Sequence, residues 1–166
     1  IGLYTDVIVK PNEIESARAF KGEIPETAFE KLAVALEKRT GRPAIVTAGD
    51  KGCYVSEKGK VVHVQACKVT GEIDFCGAGD TFLSGLAAST AAGFALADAA
   101  KIACCCSAVT IKKLKTTGTA SRSELAAKLL SLQRPDGSWE NDNNRFWEND
   151  TVLATSFAVL SLVLCR

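Results

Sequence analysis

Residues 74–82 have the sequence Asp-Phe-Cys-Gly-Ala-Gly-Asp-Thr-Phe, and an Ala-rich helix is predicted to follow through about residue 92. The glycines allow the backbone to turn sharply and to point successive N–H groups toward one place. Because a helix N-terminus also carries about half a positive charge, such a turn can bind a phosphate. We predict an anion hole formed by the backbone amides of Gly77, Ala78 and Gly79, with the Asp80 carboxylate at its mouth.

This position would let Asp80 accept the proton of a hydroxyl group that attacks a phosphate. A Gly-x-Gly-Asp turn is weak evidence by itself, because acidic residues are common in the first turn of helices that bind no ligand. The interpretation therefore depends on the rest of the chain.

Apolar runs and helical periodicity alternate along the first part of the chain. Buried strands are predicted at 6–10 and 44–47, and two β-rich stretches at 53–56 and 61–65 flank a Lys58-Gly59 turn and predict a hairpin. Helices are predicted at 13–20, from Pro25 to just before Gly41, at 78–92, at 96–113 and, behind a Ser121-x-x-Glu124 capping box, through residue 132. This alternation predicts an α/β fold with a largely parallel sheet and an antiparallel edge.

Charge and hydropathy exclude several function classes. The chain has 20 basic and 19 acidic residues, so its net charge is +1, and no basic face is evident for nucleic acid or an anionic membrane. We find no signal peptide and no run of about eighteen apolar residues that would span a membrane. The prediction is a cytoplasmic protein without nucleic-acid or membrane partners.

The cysteines do not have the spacing of a metal site. There are seven, without any Cys-x-x-Cys pair, and His63 is the single histidine. We predict reduced thiols that pack as small apolar side chains, and we place His63 on the surface of a strand.

Four features occur in one order along the chain: Asn12-x-x-Glu15, Thr47-x-Gly49-x-x-Gly52, the stretch 74–82, and Gly118. Each lies at a predicted strand or helix end. Together they resemble the motifs of the ribokinase-type PfkB family of small-molecule kinases, and the resemblance covers residues 1–126.

The resemblance implies a partial ribokinase-like three-layer α/β/α sandwich with a mostly parallel sheet, followed by a short helical tail. It implies ATP-dependent phosphoryl transfer to a hydroxyl of a sugar or related small alcohol, with Asp80 as catalytic base. The resemblance also assigns nucleotide binding to five residues, Thr47, Gly49, Gly52, Gly118 and Cys104. It assigns binding of Mg²⁺ through water to Asn12 and Glu15, and binding of a monovalent cation, K⁺, to Asp74 and Cys76.

Two residues depart from the family pattern, and part of the fold is missing. Phe75 replaces a small or β-branched residue, and Cys104 stands where many members have a polar residue near the adenine. The sequence corresponds to the later part of the longer family members, so most sugar-contacting residues and the lid are absent. We therefore keep a non-catalytic nucleotide-binding fragment or fusion product as an alternative, and we predict self-association through the exposed sheet edge.

The tail at 127–166 is predicted to be a separate segment. Residues 133–139, Gln-Arg-Pro-Asp-Gly-Ser-Trp, resemble the Q-x-x-x-G-x-W motif of squalene–hopene cyclase and prenyltransferase repeats, and a further helix is predicted at 151–164. One repeat cannot bury its own apolar face, and no Asp-x-Asp-Asp acid motif is present. An amphipathic helical hairpin that docks on the kinase-like part remains an alternative, and a fragment of a terpene cyclase-like protein is a third, disfavoured function.

Overall fold

The computed structural model describes residues 3–139. The elements, in chain order, are α1 (Glu13–Ala19), α2 (Phe29–Thr40), β1 (Ala44–Thr47), a short 3₁₀ helix (Gly49–Lys51), β2 (Cys53–Glu57), β3 (Lys60–Val64), α3 (Ala78–Ala91), α4 (Leu96–Thr110) and α5 (Arg122–Ser131). The chain divides into two compact units. The first contains residues 3–69 and 83–104, and the second contains 70–82 and, in its described part, 105–139.

The first unit contains a three-stranded antiparallel sheet in the order β1-β2-β3. Strands β2 and β3 form the predicted hairpin, with Glu57 paired to Lys60 across the turn. The two turn residues, Lys58 and Gly59, have positive φ angles of 53° and 75°. A turn with both central residues in this region matches the twist of the flanking strands, so the hairpin prediction is confirmed.

The prediction of a mostly parallel sheet is not met in residues 3–139. The segment predicted as strand 6–10 makes only two isolated parallel bridges to β1, Val9 to Ala44 and Asn12 to Thr47. The amides of Ile45 and Thr47 donate to the carbonyls of Val9 and Pro11. Pro11 has no N–H to return to the Ile45 carbonyl, so the parallel ladder loses the rung between the two bridges.

Helix α2 covers the sheet of the first unit. Its buried side chains Leu32, Ala33 and Leu36 form one apolar cluster with Ala44 and Val46 of β1. The helix begins at Phe29 rather than at Pro25, because residues 25–28 form a turn in which the Ala28 amide donates to the Pro25 carbonyl at 2.9 Å. It ends as predicted at Gly41, which has a left-handed φ of 73°.

The second unit contains α5 and the turn that follows it. The predicted capping box is present: the Ser121 side chain accepts from the Glu124 amide, and the Glu124 carboxylate accepts from the Ser121 amide. Lys113 Nζ lies 2.7 Å from Glu124 Oε1. The hydrogen bond from Lys113, followed by those from Ser121, lowers the pKa of Glu124 to about 2.

Residues 133–139 close the end of α5. Trp139 is buried and donates its indole N–H to the Leu129 carbonyl at 2.8 Å, and the Gln133 side chain donates to the Gly137 carbonyl at 2.7 Å. The likeness of this stretch to a cyclase repeat stays a prediction, as does the domain boundary at residue 126. The predicted helix at 151–164 lies outside the described residues.

Burial divides the cysteines into two groups. Cys53, Cys104, Cys105 and Cys106 are buried, as predicted, whereas Cys67 is half-buried and Cys76 is exposed. Large apolar side chains are exposed near the start of the chain, namely Leu3, Tyr4, Val7 and Ile8. Within residues 3–139, none of the helices has the length and hydropathy that crossing a membrane requires.

Helix α4 ends at Thr110, three residues before the predicted end at Lys113. The Thr110 hydroxyl is fully buried and has no hydrogen-bond partner among the described residues. A buried hydroxyl without a partner costs about 1–3 kcal/mol of desolvation. We expect Thr110→Val, which keeps the shape and removes the hydroxyl, to stabilise the protein by about 1 kcal/mol in urea unfolding.

Thr81→Val is the matched control for Thr110→Val. Thr81 is also buried, but its hydroxyl donates to the Gly118 carbonyl at 3.4 Å. Removing this hydroxyl leaves a buried acceptor without its donor, so we expect a loss of stability. If the two variants shifted stability in the same direction, the account of Thr110 would be wrong.

Candidate functional site

Asp74 fixes the loop that precedes α3. Its Oδ1 accepts from the Cys76 amide at 2.9 Å, and its Oδ2 accepts from the Lys115 amide at 3.0 Å. Its own amide donates to the Ile111 carbonyl at 2.8 Å. The bonds with Ile111 and Lys115 therefore tie this loop to the segment that follows α4, and the bond from Cys76 closes the loop itself, which gives Asp74 a structural role. Its assignment, with Cys76, to a monovalent cation stays a prediction.

Gly77 is required by both its conformation and its surroundings. Its φ is 79°, and a Cβ built there would lie 3.0 Å from the Gly118 carbonyl oxygen and 3.1 Å from Thr117 Cγ2. Gly118 is equally confined, because a Cβ on it would lie 2.8 Å from the Thr110 carbonyl oxygen. The second unit thus brings together two residues that the sequence assigned to the site, Gly77 and Gly118.

The start of α3 presents backbone donors next to an exposed carboxylate. The Ala78 amide donates to the Phe75 carbonyl at 3.1 Å, whereas the amides of Gly77 and Gly79 have no backbone acceptor within residues 3–139. Asp80 lies in the first turn of α3 and is exposed to solvent. Two of the three amides assigned to the anion hole are therefore available, and Ala78 already has an intramolecular acceptor.

Neighbouring residues hold this first turn in place. The Ser107 hydroxyl donates to the Ala78 carbonyl at 3.0 Å, and the Thr81 amide donates to the Gly77 carbonyl at 2.9 Å. Phe75 is 69% exposed, so its side chain does not fill the core of the loop.

Asn12 and Glu15, in the first unit, form a capping box at the start of α1. The Asn12 side chain accepts from the Glu15 amide at 2.8 Å, and Glu15 Oε2 accepts from the Asn12 amide at 2.9 Å. The Ser16 hydroxyl donates to the Asn12 carbonyl at 2.6 Å. These bonds explain the Asn-x-x-Glu pattern as a helix start.

Thr47, Gly49 and Gly52 shape the turn between β1 and β2. The Thr47 hydroxyl donates to the Pro11 carbonyl at 3.4 Å, and Thr47 is bridged to Asn12. The Ala48 amide donates to the Gly52 carbonyl at 2.8 Å, which closes the turn. The first unit thus places Asn12, Glu15 and Thr47 at one end of β1, next to the glycine turn.

The chain matches a known protein family over most of its length. The family model described as "pfkB family carbohydrate kinase" matches residues 5–122. The chain belongs to this family.

Individual proteins are also similar to most of this chain. The bifunctional protein HldE of Hyphomonas neptunium is 35% identical over 133 residues, which are 78% of this chain and 27% of the relative. The ribokinase of Schizosaccharomyces pombe is 31% identical over 139 residues, 81% of this chain and 41% of the relative. The chain therefore spans about a quarter to two fifths of the length of these relatives.

A solved structure supports the same fold. A ribokinase II from E. coli, in complex with ATP and Mg²⁺, superimposes with a TM-score of 0.62 at 25% identity and covers 75% of this chain and 39% of its own. The prediction of a partial ribokinase-like α/β fold is confirmed.

Two further assignments to the pfkB site stay predictions. Cys104 is buried in α4, with 7% of its surface exposed, so its assignment to the adenine stays a prediction. Within residues 3–139, no three His, Cys, Asp or Glu side chains are grouped so that they could hold a metal ion. Asn12 and Glu15 by themselves offer one amide and one carboxylate.

Sequence reasoning missed the contacts that brace the Gly49–Gly52 turn. His63 donates from its ring to the Lys51 carbonyl at 2.7 Å, and its ring is stacked on that of Tyr54. The one available signal was the hairpin itself, since a two-residue turn at 58–59 places residues 54 and 63 opposite each other.

Proposed function

We propose that this chain carries the phosphate-binding and catalytic-base part of an ATP-dependent kinase that phosphorylates a hydroxyl of a sugar or related small alcohol. The observation that carries the proposal is the turn at the start of α3. Gly77 is confined there against Gly118, and Asp80 stands exposed in the first helical turn. Membership of the pfkB family gives this turn its chemical context.

The proposed anion hole consists of the Gly77 and Gly79 amides at the N-terminus of α3. Their N–H groups and the helix dipole stabilise negative charge on a transferring phosphoryl group. The hydrogen bonds of Asp74 keep these donors fixed, so little reorganisation is needed when charge develops. Asp80 takes the proton of the acceptor hydroxyl as that oxygen attacks.

Glu15 in the first unit suits Mg²⁺, and Asp74 in the second unit suits K⁺. When bound, Mg²⁺–ATP supplies the phosphoryl group and neutralises part of its charge. Mg²⁺ keeps several waters and is bound through one or two carboxylates in such sites. The single exposed carboxylate of Glu15, acting through water, matches this coordination. Glu15 already accepts the Asn12 amide through Oε2, which leaves Oε1 for a water. For K⁺, Asp74 oxygens that each accept one N–H retain lone pairs for a cation.

A non-catalytic nucleotide-binding fragment is the second candidate function. It is favoured by the share of the relatives that the chain spans, 27% and 41%. Phosphoryl transfer depends on positioning both substrates and on excluding water, which a partial site does poorly.

Thermal unfolding with and without Mg²⁺–ATP tests the proposed function. A ligand at 100 times its Kd stabilises the native state by about 2.7 kcal/mol, so the wild-type midpoint should rise. We expect Gly77→Ala to lose this shift, because an added Cβ meets the Gly118 carbonyl and displaces the anion hole.

Gly93→Ala is the control for Gly77→Ala. Gly93 also has a positive φ, 93°, but a Cβ there would meet nothing within 4 Å. This variant should keep the nucleotide shift even if its own midpoint falls. Absence of a shift in the wild-type chain would reject nucleotide binding by this chain.

A further inference from the structure

An aromatic stack lies on the hairpin beside the Gly49–Gly52 turn. The rings of Tyr54 and His63, a directly paired cross-strand couple, are 4.4 Å apart and within 9° of parallel. Tyr54 also stacks with Phe29 of α2, with ring centroids 5.0 Å apart and ring planes at 21°. The His63 ring is thus held in one orientation by a stack that is anchored on a helix.

The His63 ring reaches the turn from this stack. Its Nε2 lies 2.7 Å from the Lys51 carbonyl oxygen. A carbonyl oxygen only accepts hydrogen bonds, so Nε2 carries the proton and donates it. The imidazole is therefore fixed as the tautomer with hydrogen on Nε2, or is fully protonated.

Lys51 is held at three points. Besides the bond from His63, its amide donates to the Ala48 carbonyl at 3.0 Å, and its ammonium lies 5.0 Å from the centre of the Phe29 ring. A cation over an aromatic face is attracted by the electron density of the ring. All three contacts act on one residue of the 3₁₀ turn.

Strand β3, which carries His63, also packs closely against Gly52 of the turn. A Cβ on Gly52 would lie 2.0 Å from the carbonyl oxygen of Val64, the residue next to His63. The backbone of β3 therefore passes directly against Gly52. The ring of His63 and the backbone of Val64 confine the turn from two successive positions of one strand.

We propose that His63 is a positioning residue for the Gly49–Gly52 turn as a nucleotide-binding loop, acting through its hydrogen bond to the Lys51 carbonyl. Fixing this carbonyl orients the peptide groups of residues 49–52 for the phosphates and ribose of a nucleotide. The nucleotide part of this inference rests on the proposed function, whereas the bracing of the turn does not. His63 touches no reacting group and acts only through the turn.

Two substitutions separate the hydrogen bond from the stack. His63→Phe keeps the ring on Tyr54 and loses the donor, whereas His63→Gln keeps an N–H donor at a similar reach and loses the ring. Lys60→Gln is the control, because Lys60 begins the same strand and is exposed. Amide hydrogen exchange at Lys51 and Gly52 reports on the turn, and titration with Mg²⁺–ATP reports on affinity.

For His63→Phe we expect exchange at Lys51 and Gly52 to be about tenfold faster, with a Kd for Mg²⁺–ATP raised about tenfold, as loss of one hydrogen bond predicts. His63→Gln should recover part of both effects, and Lys60→Gln should change neither. A general loss of stability would instead accelerate exchange throughout the sheet and would not be rescued by glutamine.

Each of the other outcomes contradicts one part of the proposal about His63. Unchanged exchange in His63→Phe shows that the bond does not brace the turn. Faster exchange with an unchanged Kd shows that the brace does not serve nucleotide binding. If the wild-type chain binds no nucleotide, the proposed function and the nucleotide role of His63 both fail, and exchange alone then decides whether His63 braces the turn.

Discussion

Gly52→Ala is expected to destabilise the protein by about 4 kcal/mol, at the upper end of single-residue effects. The Cβ would lie 2.0 Å from the Val64 carbonyl oxygen and 2.6 Å from the Ala66 amide nitrogen. Both are backbone atoms, so no side-chain rotation relieves the overlap. Either β3 separates from the turn, or the turn opens at a residue whose φ of 85° already disfavours a side chain.

The sharpest control for Gly52→Ala is Gly49→Ala in the same turn. Gly49 has a positive φ of 55°, but nothing lies within 4 Å of a Cβ built on it. Its replacement should cost only about 1 kcal/mol, the price of the left-handed conformation. Urea unfolding followed by circular dichroism measures both variants. Equal losses at the two positions would show that β3 does not pass against Gly52.

Local signals predicted the helices and the hairpin because their causes lie within a few residues. Gly41 ends α2, and the Lys58-Gly59 turn sets the pairing of β2 with β3. The start of α2 was placed too early, since Pro25 suits a helical first turn and equally suits the separate turn at 25–28. The parallel ladder failed for a reason present in the sequence, the missing N–H of Pro11.

Two stretches in which a polar residue is followed three positions later by Glu received different interpretations from sequence reasoning. At Ser121-x-x-Glu124 it was interpreted as a capping box, whereas at Asn12-x-x-Glu15 the family resemblance suggested a metal and phosphate role. The structure contains a reciprocal capping box at both places. The two roles are compatible at Asn12 and Glu15, because a capped Glu15 is held in one orientation at the end of β1.

The contacts around the Gly49–Gly52 turn could not be predicted, because they join residues distant in sequence. The motif pointed to Gly52, but the reason for glycine is the Val64 backbone, twelve residues later. His63 was placed on the strand surface, and nothing local indicated that its ring would reach the Lys51 carbonyl. Such contacts depend on hairpin register and side-chain rotamers, which a single sequence does not specify.

Asp80→Asn is expected to lower the rate of phosphoryl transfer about 10²- to 10⁴-fold, the contribution of a positioned general base. Asparagine has nearly the same shape but cannot take up a proton from the attacking hydroxyl. Nucleotide affinity should be kept or improved, because the substitution removes a negative charge near the proposed phosphate site. The measurement is turnover of ATP with a panel of sugars and small alcohols, alongside a Mg²⁺–ATP titration.

Asp98→Asn is the matched control for Asp80→Asn, because Asp98 occupies the first turn of α4 as Asp80 occupies that of α3. It is paired with Lys101 at 3.2 Å, so its loss should affect stability slightly and turnover not at all. Equal turnover in wild type and Asp80→Asn would exclude Asp80 as the base. Nucleotide binding without turnover in any of the three proteins would instead favour the non-catalytic fragment, since an intact anion hole binds phosphate whether or not an acceptor hydroxyl can be positioned.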